Sequence, residues 1–178
     1  MGILFFSDLH GSAQAVVQLR RQIDLLRPER IAFLGDSLSP ERSPAAIAFL
    51  NSLADRITAV AGNCDGDREQ AALLFPLHED YALLNTPTHR FFLTHGDRWS
   101  PSRLPPAGVG DVFCFGHSHV PMLQRLPDGL VLFNPGSCAL PRNAIGPTFG
   151  FFDGEELQLR EVPTGELLST LALNPSTH

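Results

Sequence analysis

The run Asp111-Val112-Phe113-Cys114-Phe115 stops abruptly at Gly116-His117-Ser118-His119, and this junction constrains the chain more than any other stretch. A short apolar run closed by glycine reads as a buried strand. The two imidazoles therefore fall at a strand end or in the loop just beyond it, where a rigid scaffold presents functional side chains. One H-x-H pair carries little weight by itself. Four other apolar runs end the same way, at Asp8-Leu9-His10, Gly35-Asp36, Gly62-Asn63-Cys64-Asp65 and Thr94-His95-Gly96. Five strand ends that all finish in oxygen and nitrogen donors make a constellation.

The remaining pattern says how such ends come together. Ile3–Phe6 is continuously apolar, as a strand buried on both faces requires. Ser12 offers an N-cap, and Val16, Leu19, Ile23 and Leu26 recur at helical spacing up to Pro28. A strand over 31–34 follows, then a helix opening at Ser43 or Pro44 and carrying Ile47, Leu50 and Leu53, then a strand over Ile57–Val60. This alternation implies a parallel sheet with right-handed crossovers. Ligands of such sheets gather at the carboxyl ends of the strands, where Asp8, His10, Asp36 and Asn63 fall. Residues 68–74 read as a short helix, 81–84 and Arg90–Leu93 as an antiparallel pair around Thr86-Pro87, and 97–110 as a loop or one short helix. Strands follow over 111–115 and 130–133, and Thr148–Phe152, 157–161 and 167–171 read as an antiparallel meander. The expected fold is α/β: two packed, partly mixed β-sheets, a β-sandwich, flanked by α-helices. Residues 1–173 are expected to form one domain, with 174–178 as a frayed tail.

Composition narrows the chemistry. All 13 basic residues are Arg. Without lysine, P-loop and Schiff-base chemistry are excluded. A formal net charge of -6 argues against stable binding of duplex nucleic acid, yet leaves room for a nucleotide-like or other phosphodiester substrate, because metal ions supply local positive charge. The three cysteines, Cys64, Cys114 and Cys138, form neither a disulfide framework nor a paired-Cys zinc motif, which points to a reducing compartment. No segment has the basic and apolar layout of a signal peptide, and none approaches the ~20 apolar residues that span a bilayer. A cytoplasmic protein with no membrane association is expected.

Taken singly, each motif has a plain reading as a loop, turn or cap. Asp8 and His10, at i and i+2 of a strand end, are expected to point to the same side. Two Asp, one Asn and four His at the ends of apolar runs supply seven ligands, enough for two ions that share one carboxylate. Without metal, that many polar groups at one end of a sheet would leave several desolvated and unpaired. Mixed carboxylate, amide and imidazole donors without thiolate suit manganese, iron, zinc or nickel.

The ordered set D-x-H, GD, GN, H-G and G-H-x-H, spread over residues 8–119, resembles the calcineurin-like metallophosphoesterases. The short length, the Gly62-Asn63-Cys64-Asp65 and Thr94-His95-Gly96 forms and Phe133-Asn134-Pro135-Gly136-Ser137 resemble the small bacterial and archaeal YfcE-type phosphodiesterase branch, which is related to the eukaryotic scaffold Vps29. The resemblance implies two divalent ions, manganese first. One would be held by Asp8, His10, Asp36 and His119, and the other by Asp36, Asn63, His95 and His117. It implies a metallophosphoesterase-like sandwich, and hydrolysis of a phosphodiester by in-line attack of a bridging hydroxide. Asp36 and His95 would act at the catalytic centre.

The departure from the wider family is Cys64, which stands where many members carry the histidine that protonates the leaving group. Cys64 is either that acid or a small packed residue, and Asp65 orients a neighbouring ligand. Ser137, Arg142, Arg98 and Arg103 are weaker candidates for substrate contact, and Cys114 and Cys138 read as core. Two rival readings are a Vps29-like scaffold and a phosphomonoesterase of the same superfamily. Complete metal ligands disfavour the first, and the missing histidine with the short chain disfavours the second. Exposed apolar residues in the terminal meander leave room for a homo-oligomer.

Overall fold

A computed structural model describes residues 1–37, 43–105 and 111–173. The tail expected over 174–178 lies outside the described residues, as does part of the 97–110 loop. The elements in order are β1 (Ile3–Phe6), α1 (Ala13–Leu26), β2 (Arg30–Phe33), α2 (Pro44–Asn51), β3 (Ile57–Val60), α3 (Asp67–Ala72), β4 (Leu77–His78), β5 (Ala82–Asn85), β6 (Arg90–Leu93), β7 (Val112–Cys114), β8 (Met122–Arg125), β9 (Val131–Asn134), β10 (Thr148–Phe152), β11 (Glu156–Glu161) and β12 (Leu167–Ala172). They build two sheets. The seven-stranded one runs β12-β11-β10-β1-β2-β3-β4 and the five-stranded one β5-β6-β7-β9-β8.

Both sheets are mixed, as expected. Strands β1 to β4 pair in parallel, and β10 joins β1 antiparallel and opens the meander. In the second sheet β6, β7 and β9 are parallel, with antiparallel β5 and β8 at the edges. Strands β4 and β8 are additions to the sequence reading. Two residues make up β4, and β8 is a partly exposed edge strand, MLQR, whose polar half conceals any apolar period. Helix α2 ends at Asn51 rather than reaching Leu53, and α3 covers Asp67–Ala72 rather than 68–74.

The period of two explains why β1 is apolar throughout. Ile3 and Phe5 face the interior between the sheets, with Phe91, Val112, Phe133 and Phe152. Leu4 and Phe6 face the opposite way, into a second cluster with Leu19 and Ile23 of α1 and Phe49 and Leu50 of α2. Ser12 caps α1, its Oγ accepting from the Ala15 amide. The outer face of the five-stranded sheet carries a third cluster, in which Trp99 from a loop packs against Phe92, Phe113 and Phe115. Phe133 is fully buried and meets Phe5 edge-on at 5.3 Å between ring centroids. Phe133→Ala is expected to cost about 3–5 kcal/mol of stability, read as a lower denaturation midpoint; an unchanged midpoint would contradict this packing.

Candidate metal centre

The seven expected ligands lie in loops that follow β1, β2, β3, β6 and β7, all at carboxyl ends. Five of the six non-glycine residues with positive φ among the described residues are in this set: Asp8 (54°), His10 (42°), Asp36 (58°), His117 (61°) and His119 (61°). Left-handed backbone costs a non-glycine residue about 1–3 kcal/mol and persists only where the surroundings impose it. This corrects the expected basis for pairing Asp8 with His10. The strand ends at Phe6, so alternation along a strand does not aim these side chains; left-handed turns do.

Backbone bonds fix those turns. Asp8, His10 and Gly11 donate to the carbonyls of Gly35, Asp36 and Ser37, so the loops after β1 and β2 run zipped together. The buried Ser137 hydroxyl donates to the Asp8 carbonyl and accepts from the Ala139 and Leu140 amides. That bonding and its burial remove Ser137 from the candidates for substrate contact. Asn134 donates to the Gly116 carbonyl and to the Ser118 hydroxyl, which ties β9 to the loop bearing His117 and His119. The Asn-Pro-Gly-Ser turn is therefore a strap across two ligand loops, a role that residue spacing does not disclose.

The side chains converge. Asp8, His10, Asp36 and His119 each place one donor atom within 4.8 Å of the others. Nε2 of His119 is 3.2 Å from Asp8 Oδ1, and Nε2 of His10 is 3.6 Å from Asp36 Oδ2. On the other side of Asp36, Oδ1 is 3.6 Å from His95 Nε2. Oδ1 of Asn63 lies 3.0 Å from His95 Nε2 and 2.9 Å from His117 Nδ1. Asp36 thus stands between two groups, with Asp8, His10 and His119 on one flank and Asn63, His95 and His117 on the other.

Hydrogen bonding determines what these atoms present. Nδ1 of His95 donates to the Leu34 carbonyl at 2.7 Å, and Nδ1 of His119 to the Leu140 carbonyl at 2.6 Å. In the neutral ring this leaves Nε2 as a bare lone pair, the tautomer that carbonyl-anchored metal ligands adopt. Those lone pairs face carboxylate and amide oxygens, and both carboxylate oxygens of Asp8 are buried without a hydrogen-bond partner. Burial raises the Asp8 carboxyl above its ordinary value. Acceptors aimed at acceptors repel unless a positive charge lies among them. The donor set fits divalent cations.

Asp65 lies behind this centre. One of its oxygens accepts from the Asp36 and Gly62 amides, and the other from the Ser37 amide and hydroxyl. Burial raises its carboxyl despite four donors. Asp65 clamps the Asp36 turn to the Asn63 turn. Cys64 is exposed, which corrects its reading as a small packed residue. Its Sγ accepts from Asn63 Nδ2 at 3.4 Å, and burial, followed by the charge of Asp36, pushes the thiol up to about 11. Cys114 and Cys138 are buried, as expected. Arg98 is ion-paired with Asp80, Arg103 lies over the Trp99 ring, and Arg142 is exposed while its amide donates to the His119 carbonyl. No helix among the described residues is long and apolar enough to cross a membrane.

Residues 1–156 match the model of the calcineurin-like phosphoesterase superfamily domain. The chain is 31% identical to phosphodiesterase YfcE of Escherichia coli, over 98% of this chain and 100% of that one. It is 29% identical to phosphodiesterase MJ0936 of Methanocaldococcus jannaschii, over 91% of this chain and 98% of the relative. The solved structure of YfcE, a phosphoesterase, superposes with a TM-score of 0.91 at 30% identity, covering 98% of this chain and 100% of that one. Vacuolar protein sorting 29 of Cryptosporidium parvum shares the fold, with a TM-score of 0.68 at 18% identity over 96% of this chain and 97% of that one.

Proposed function

The chain belongs to the calcineurin-like phosphoesterase superfamily, and on that premise we propose that it is a two-metal phosphodiesterase acting on small diesters in the cytoplasm. The observation that carries the reading is the meeting of lone pairs around Asp36. Asp8, His10, Asp36 and His119 hold one ion, and Asp36, Asn63, His95 and His117 the other. Manganese is the first choice, with zinc, iron and nickel as alternatives for this donor set. When bound, such ions lower the pKa of water toward neutrality and neutralise the phosphoryl oxygens.

The protein's own groups do the rest. His95 and His119 are held in one tautomer by the Leu34 and Leu140 carbonyls, which fixes ring orientation before anything binds. Asp65 holds the backbone of Asp36 without reaching the centre, so it acts as a positioning residue. With metal ions supplying an activated water, no protein nucleophile would be required. Cys64 Sγ–H is exposed beside Asn63 and supplies the departing alcohol with a proton. Cys64→Ala is expected to slow an alkyl diester by about 10²-fold, the lower range of general-acid catalysis. Turnover of an aryl diester, which needs little protonation, would change by only a few-fold. Equal losses on both would refute the role.

The geometry favours catalysis over a pure scaffold because no expected ligand position is filled by a residue unable to bind metal. Metal analysis after equilibrium dialysis against Mn²⁺ tests the assignment. Two ions per chain are expected; none or one would overturn the two-ion reading.

A further inference from the structure

The Leu34 carbonyl that holds the His95 ring has a second donor. The Ser7 hydroxyl, fully buried and one residue beyond β1, reaches it at 3.3 Å. Both partners of this carbonyl are side chains, because Leu34 lies past the end of β2 and, among the described residues, no backbone amide bonds to its oxygen. The next residue leaves the peptide loose. A Cβ on Gly35 would lie 2.6 Å from the Gly62 amide nitrogen and 2.8 Å from His95 Nδ1, so the close approach of these turns demands glycine there, and its φ is +92°. Glycine takes up either sign of φ with little preference. The direction of the Leu34 carbonyl is therefore set by the groups that bond to it. Gly116 makes room for one of them, since a Cβ at that position would lie 2.0 Å from Ser7 Oγ.

We propose that Ser7 is a positioning residue for the metal centre: its hydroxyl fixes the Leu34 carbonyl in the direction that turns His95 Nε2 toward Asp36 and Asn63. The proposal rests on the two-metal reading and adds to it a residue outside the seven ligands. The contacts run from Ser7 Oγ–H to the Leu34 oxygen, and from that oxygen to Nδ1–H of His95. The ring then places Nε2 at 3.0 Å from Asn63 Oδ1 and 3.6 Å from Asp36 Oδ1. Without the hydroxyl, the ring is left as the only donor to a carbonyl that swings about the Gly35 backbone, and carbonyl and ring move together. The His119 ring is the internal comparison. Its Nδ1 donates to the Leu140 carbonyl, while the Ser7 hydroxyl donates to that of Leu34. Loss of Ser7 thus loosens one imidazole and spares the other.

Histidine ¹⁵N NMR of the native protein in chelator reads the starting point without any variant. The His95 proton is expected on Nδ1, in slow exchange with solvent; a proton on Nε2 instead overturns the assignment. In Ser7→Ala, which keeps all seven ligands, the His95 Nδ1 proton should shift and exchange faster while that of His119 stays in place. Calorimetry with Mn²⁺ should find binding weakened about tenfold, the lower end of what losing an orienting partner costs a metal site. A merely structural role would lower Tm in chelator and move both ring protons together, which overturns the proposal. So does an unmoved His95 proton, or an unchanged affinity for Mn²⁺. Hydrolysis of an aryl diester by the native protein is measured in parallel. Turnover with an unmoved His95 proton in the variant overturns the role of Ser7 and leaves the phosphodiesterase reading standing. The expected ring and affinity changes, with no turnover by the native protein, sustain the role and overturn the hydrolase. A native protein that binds no Mn²⁺ overturns both.

Discussion

Asp36→Asn is expected to reduce diester turnover by about 10³-fold or more while leaving the metal-free protein as stable as the parent, or more so. The loss follows from position. Asp36 is the one carboxylate facing both groups of ligands, with Oδ2 at 3.6 Å from His10 Nε2 and Oδ1 at 3.6 Å from His95 Nε2. Replacing it with an amide removes the charge that the proposed ions would share, and several kcal/mol of charge stabilisation translates into a rate loss of that order. The stability sign follows from the same atoms. Without metal, the Asp36 carboxylate confronts lone pairs; an amide nitrogen there donates to one of them instead. The remaining oxygen still accepts from the Cys64 amide, a 2.9 Å bond in the parent. Thermal unfolding in the presence of chelator checks this half of the prediction, and the rise in Tm on adding Mn²⁺ should be smaller in the variant. A variant that loses activity and also unfolds early without metal would show that Asp36 is structural.

Gly62→Ala is the second large effect, and its signature is the opposite. A Cβ on Gly62 would lie 2.1 Å from Asp36 Oδ1 and 2.3 Å from the Asp36 amide nitrogen. The second contact is with backbone, which cannot swing aside. The turns after β2 and β3 must therefore separate, which breaks the Asp65 clamp that joins them. Overpacking of this kind costs about 1–3 kcal/mol, and here it also displaces the Asp36 carboxylate. Activity should fall as far as in Asp36→Asn, but now with a lower Tm in chelator. Circular dichroism melts of the two variants side by side distinguish them. Native-like activity in Gly62→Ala would mean that the two turns are not held at this separation.

Much of this was legible in the residues because the fold presents its ligands in one uniform way. Buried strands are apolar on both faces, as in Ile3–Phe6, so the polar residues just beyond each strand stand out. Asp8, Asp36, Asn63, His95 and His117 are each found by that break. Their grouping around Asp36 was accessible only through resemblance, since spacing along the chain says nothing about distance between the ends of two different sheets. What the sequence hid lies in the backbone. Left-handed conformations at Asp8, His10, Asp36, His117 and His119 have no residue signature, because only glycine advertises a positive φ. The carbonyls of Leu34 and Leu140, which orient His95 and His119, belong to residues that read as ordinary apolar positions. Ser137 looked like a surface hydroxyl after a turn, yet it is buried against the Asp8 carbonyl. Cys64 is not placed by its residue type, because a small thiol suits core and surface equally; it is exposed within the turn from Gly62 to Asp65.

The central claim is that this centre hydrolyses diesters with metal ions. The most direct test takes metal-stripped protein, restores Mn²⁺, Zn²⁺ or Mg²⁺ in turn, and compares an aryl phosphodiester with the matching monoester. The expected result is no turnover without metal, restored turnover with Mn²⁺, and a faster rate on the diester. Two tightly bound ions with no turnover of either ester under any metal would contradict it, and would leave a metal-stabilised scaffold as the account of this fold.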